Sequence, residues 1–191
     1  MNKLFEGIVK DLSNADIGWM NTKNPFYMEG YKKAARELSD RFECRRPEEK
    51  VSLIFPIIFL YRQYIELTLK NLLKQIDCKL ANERTDKILE RHKLLPLWDE
   101  TISQYDKFIY VNNIALVFTS LRTNERDIIN HFNQVDEDSF SFRYAYDKKG
   151  NDNLEKIDYI SVNNFRAQIE LVIKYLEDMI ETLSHIEFEG S

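Results

Sequence analysis

Arg126 and His131 stand in the stretch ERDIINHF with four residues between them, and the polar Asp127 directly follows the arginine. An imidazole titrating near neutral pH can take the proton of a ribose 2′-hydroxyl or return one to a leaving 5′-oxygen. A fixed guanidinium can hold the phosphate through two hydrogen bonds and offset the charge developing on its oxygens. The expected chemistry is metal-independent RNA cleavage that leaves a 2′,3′-cyclic phosphate and a 5′-hydroxyl. His131 would serve as acid/base, Arg126 as phosphate clamp and Arg122 as a supporting cation. The other histidines, His92 and His185, lie far away in sequence and form no metal-ligand spacing with carboxylates, so neither metal nor cofactor is expected.

Helical geometry constrains this pair. Five positions on a regular helix turn the side-chain direction by about 140°, so Arg126 and His131 do not share a face. Their convergence requires a local break or a second copy of the helix. Without either, Asp127 and His131 are i,i+4 neighbours suited to a surface pair, and Arg122 and Arg126 solvate the outer face.

Arg62, Glu66 and Lys70 form a second set, lining one stripe of an otherwise apolar helix. Charges in such a setting need partners, so an Arg62–Glu66 bridge is the first expectation. The alternative is that Arg62 opens on a polar cleft with Arg143 and binds an anionic ligand. His92 is expected to hydrogen-bond a neighbouring loop, and His185 to favour the negative end of the last helix. The segment FRYAYDKK interleaves aromatics with Arg143, Lys148 and Lys149, which suits either base stacking and phosphate contact or packing against a helix.

The elements that must position these residues are mostly helical. The chain has 191 residues, enough for one domain (1–191), and its five glycines and four prolines are too few for a turn-rich β fold. A short helix over Lys3–Leu12 lies in an N-terminal extension of about 1–25. Further helices follow over Tyr27–Phe42, Glu49–Ile76 and a segment opened by Pro96 near its first position. Pro56 either kinks the Glu49–Ile76 helix or lies in its first turn. Apolar residues at Ile114, Phe118, Leu121, Ile128, Phe132 and Val135 predict one long helix over Asn112–Val135. Alternating aromatics from Phe140 to Tyr146, followed by DKKGND, predict a β-hairpin or an ordered extended arm over about 139–160. Val162, Phe165, Ile169, Val172, Leu176, Met179 and Leu183 mark the seam of a C-terminal helix that Ser161 or Asn163 can cap.

The net charge of −5 argues against a surface that binds nucleic acid throughout. Two cysteines, Cys44 and Cys78, with no CxxC pair read as cytoplasmic thiols. The longest apolar run, Leu53–Tyr61, is too short to span a bilayer, so no membrane partner is expected.

Three stretches in order, FPIIFLYRQYIELTLK, RHKLLPLW and VDEDSFSFRYAYDKKGN, resemble a bacterial group of HEPN-domain proteins over roughly residues 30–180. The resemblance implies an all-α bundle that often dimerises. Many such relatives are metal-independent ribonucleases of toxin–antitoxin or antiphage systems, acting through an arginine, a polar residue and a histidine spaced as in Arg126, Asp127 and His131. Others serve as binding or structural modules. The expected partners are therefore a second copy, an RNA substrate, and an antitoxin or defence protein. The alternative is a non-catalytic module that binds a protein or nucleotide through the Arg62/Glu66 stripe and the Phe142–Asp147 arm, or a structural subunit of a larger assembly.

Overall fold

The computed structural model describes residues 24–81, 88–90, 92–114 and 122–188, with positions 12 and 15; the side chains of Asn24, Arg122 and residues 186–188 are not described. The helix expected over Lys3–Leu12 thus falls almost wholly outside the described residues. Five α-helices are present among those described: α1 (Asn24–Ser39), α2 (Pro47–Leu80), α3 (Leu94–Val111), α4 (Arg122–Val135) and α5 (Val162–Phe188). The protein is an all-α bundle, as the composition predicts.

The bundle is organised around α2, which packs against α1, α3 and α5, while α4 closes onto α3 and α5. Pro47 occupies its first position, where the missing N–H removes no intrahelical bond. The Glu49 carboxylate accepts a hydrogen bond from the Arg46 backbone N–H at 3.1 Å and satisfies one of the donors at this end. The helix ends at Ala81, whose left-handed φ of 51° turns the chain away. Pro56 sits in the helix interior and not in its first turn.

Helix α2 buries a broad arc of its surface, including Ile57, Tyr61, Ile65, Leu69, Leu72 and Ile76. That is why its sequence lacks a clean polar face. For the same reason α2 is long and apolar enough to cross a membrane, although half of its most apolar stretch is buried inside the bundle. Helix α5 buries the expected seam from Val162 through Leu183, with Phe165 half-buried, and Ser161 caps it through a 3.3 Å bond to the Asn164 N–H. Phe165 joins three helices, its ring centroid 5.7 Å from those of both Tyr61 and Phe132. Helix α1 adds ion pairs to its apolar contact: Arg36 grips Glu170 at 2.9 and 2.6 Å, and Lys32 reaches Glu177 at 2.8 Å.

Two sequence expectations need correction. The long helix over Asn112–Val135 does not begin at Asn112, because α3 ends there. Asn113 takes φ 52°, and the N–H groups of Asn113 and Ile114 return to the carbonyls of Tyr110 and Ile109, a paired C-terminal closure. Phe118 and Leu121 lie outside the described residues. The buried face of α4 is carried by Glu125, Ile129 and Phe132, with Ile128 at its border.

The alternating aromatics form no strand pair among the described residues; one isolated antiparallel bridge joins Tyr146 and Asp152. Phe140 to Tyr144 instead make a tight turn in which the Tyr144 N–H donates to the Phe140 carbonyl and the two rings stack 4.4 Å apart. The N–H groups of Phe140 and Ser141 already donate to the Asp136 carboxylate and are lost to a ladder. Only DKKGND behaves as its turn chemistry predicts: Gly150 adopts φ 85°, and the Asp147 N–H donates to the Asn151 carbonyl. The segment 136–161 is an ordered arm laid over the bundle.

Leu69 is fully buried on α2. Leu69→Ala is expected to lower the unfolding free energy by about 2–5 kcal/mol through lost burial and the cavity left behind, measurable by urea denaturation.

Candidate functional site

Three groups of residues around the arm bear on function. The first is a buried charge network. Arg62 is fully buried, and its guanidinium is shared among three acceptors. Nη1 donates to Glu66 Oε2 at 2.9 Å, Nη2 donates to the His92 carbonyl at 2.6 Å, and Nε lies 3.3 Å from Asp136 Oδ2. The last contact is a close charge pair without hydrogen-bond alignment, since neither Arg62 Nε nor Asp136 Oδ2 has a hydrogen-bond partner. Glu66, 2% exposed, accepts from Lys70 Nζ at 2.9 Å through its other oxygen, which also meets His92 Nδ1 at 2.9 Å. Burial lowers the Arg62 pKa against the opposing pull of Asp136 and Glu66. Burial pushes the Glu66 carboxyl up, but hydrogen bonds from Lys70 and His92, with the charges of Lys70 and Arg62, outweigh it and hold the group below its ordinary value.

The expected Arg62–Glu66 bridge is therefore present, whereas the His92 ring bonds Glu66 of helix α2 and not a neighbouring loop. The alternative for Arg62 is corrected: it lines no open cleft, because Glu66, the His92 carbonyl and Asp136 enclose it.

The second group is a cleft of about 640 Å³ between the arm and the first half of α2. Its walls carry the exposed apolar side chains Val51, Phe55, Tyr144 and Tyr159 together with Lys50 and Arg143. Arg143 lies over the rings of Phe59 and Tyr144, 5.8 and 5.6 Å from their centroids, and its Nε donates to the Ser139 carbonyl. Neither Lys50 nor Arg143 has a carboxylate partner among the described residues. Asp152 and Asp158 also line this cleft.

The third group holds the Arg126–His131 pair. Helix α4 runs through both residues, so they point to different sides. Arg126 faces α3, where its Nε and Nη2 donate to both oxygens of Asp99 at 2.8 Å each, and this partner raises the Arg126 pKa. His131 faces α5 and lines a second cleft of about 530 Å³ with Phe132, Phe165, Asn164 and Gln168. One chain does not bring arginine and histidine together. Asp127 is exposed and makes no ion pair with His131, and the Arg122 side chain lies outside the described residues. His185 pairs with Glu181 at 3.6 Å in the last turns of α5. Among the described residues no three His, Cys, Asp or Glu side chains cluster as metal ligands would.

Asp136 and Asp99 did not stand out from the sequence. Asp136 had a usable signal, a short carboxylate just after a helix and four residues before a turn; the partner of Asp99 had none.

Since the folded carboxyl of Glu66 sits below the ordinary 4.5, its contribution is complete above that value and is lost as pH falls through the folded-state pKa. Glu66→Gln is expected to lose about 3–5 kcal/mol of unfolding free energy at neutral pH by stranding Arg62. The gap to wild type should narrow in acid; urea titrations at both pH values check it, and a constant gap counts against a charge role.

No family model, curated protein or solved structure matches this chain.

Proposed function

We propose that this chain is a HEPN-like module of a bacterial defence or toxin–antitoxin context that binds a nucleotide in the cleft beneath the arm. One observation supports this above all: Lys50 and Arg143 line the cleft without carboxylate partners among the described residues, beside the exposed rings of Phe55, Tyr144 and Tyr159. A planar base stacks on such faces, and a phosphate is drawn to the two cations. The carboxylates of Asp152 and Asp158 can accept hydrogen bonds from ribose hydroxyls. The volume of about 640 Å³ lies within the range of small-ligand sites. The resemblance of the three sequence stretches supports the family and its dimeric habit.

A second reading, metal-independent ribonuclease, draws on a different observation: His131 is exposed at the second cleft and has no hydrogen-bond partner among the described residues. Its imidazole would take the 2′-hydroxyl proton as that oxygen attacks phosphorus and the 5′-oxygen leaves. The guanidinium would come from Arg126 of a second copy, released from Asp99.

Calorimetric titration with adenosine 5′-monophosphate separates the two. Arg143→Ala is expected to weaken binding at least about tenfold without loss of helical circular dichroism, since one charge-assisted contact is removed. Equal affinity for adenosine lacking the phosphate would defeat the reading. The ribonuclease reading requires RNA cleavage in EDTA that His131→Ala abolishes and Arg143→Ala spares.

A further inference from the structure

Arg143 reaches the cleft from a turn that holds no regular secondary structure, so something must fix its guanidinium. The contacts trace back to a buried carboxylate. Asp136, 2% exposed, sits immediately after α4. Its Oδ1 accepts the N–H groups of Phe140 and Ser141 at 2.5 and 2.7 Å, which folds the turn over the carboxylate. Within that turn Ser139 takes φ 60°, a conformation rare outside glycine, with its N–H on the Asp136 carbonyl at 3.4 Å. The Ser139 carbonyl then accepts from Arg143 Nε, and the guanidinium lies between Phe59 and Tyr144 at the cleft wall. On its other side the Asp136 carboxylate is held by Arg62, Oδ2 to Nε at 3.3 Å.

We infer that Asp136, anchored by the buried Arg62, is the positioning group of the cleft: it sets the turn whose Ser139 carbonyl aims Arg143 at the ligand phosphate. This rests on the reading of Arg143 as the phosphate contact. It gives the buried pair a purpose beyond stability, since such pairs often contribute little more than an apolar replacement while restricting geometry. Arg62 thus acts on the cleft without touching it. What matters is the charged Asp136 carboxylate set against the Arg62 guanidinium. An asparagine there can still accept the Phe140 and Ser141 N–H groups, but it meets Arg62 with a neutral amide.

The experiment follows the Arg143 Nε–H resonance, assigned by its loss in Arg143→Lys, in the full chain with nitrogen-15-labelled arginine and carbonyl-carbon-13-labelled serine. In wild type it should exchange slowly with solvent and show through-bond coupling to the Ser139 carbonyl carbon. In Asp136→Asn, with helical circular dichroism retained, exchange should quicken at least about tenfold, and adenosine 5′-monophosphate affinity should fall about tenfold. Unchanged exchange in the folded variant overturns the inference, as does absence of the coupling in wild type. Should Asp136→Asn not fold, Arg62→Lys, which keeps the charge but loses the fork, takes its place with the same outcomes. If wild type fails to bind the nucleotide while Arg143 is still released by the variant, the ligand reading falls and the positioning role stands.

Discussion

A guanidinium lies fully buried in the middle of the longest helix, and much of the fold answers to it. Removing such an ion from water costs several kcal/mol unless opposite charge and hydrogen-bond acceptors surround it. Arg62 finds them in three parts of the chain: Glu66 one turn along α2, the His92 carbonyl just before α3, and Asp136 just after α4. Each must arrive for the apolar layer of Tyr61, Ile65 and Leu69 to close. Glu66 carries the same obligation outward, taking Lys70 and the His92 ring at the rim. One side chain thereby sets where α3 begins and where the chain leaves α4.

The arm follows from that exit. With Asp136 pinned, the next residues turn tightly and drive Phe142 inward, where it contributes to the walls of both clefts. Arg143, its neighbour in sequence, is left outside. Helix α4, wedged between α3 and α5, shares out its polar residues in the same way: Arg126 to Asp99 of α3, His131 to the side of α5. Of the features that looked like one catalytic motif and one ligand stripe, His131 reaches one cleft and Arg143 the other, while Asp99 holds Arg126 and Arg62 is buried.

Much of the helical frame was legible because burial and period coincide there. The α5 seam steps by three and four and is the face the protein buries. The mixed apolar surface of α2 marks a helix packed on several sides. Legibility failed where a single local contact overrides periodicity. Asn113 in a left-handed conformation ends α3 although apolar spacing continues beyond it. The spacing of Phe140 and Tyr144 suits a strand face and a helical turn alike, and the Asp136 carboxylate selects the turn.

By itself the sequence determined the class of fold, the i,i+4 pairing of Arg62 with Glu66, and the divergence of Arg126 from His131. These are short-range consequences of helical geometry and of the penalty for burying charge. The tertiary structure alone decided that Asp136 completes the Arg62 network, that Asp99 occupies Arg126, and that Lys50 and Arg143 line one cleft. Those partners lie 27 to more than 70 residues apart in the chain, and only the packing of helices brings such side chains together.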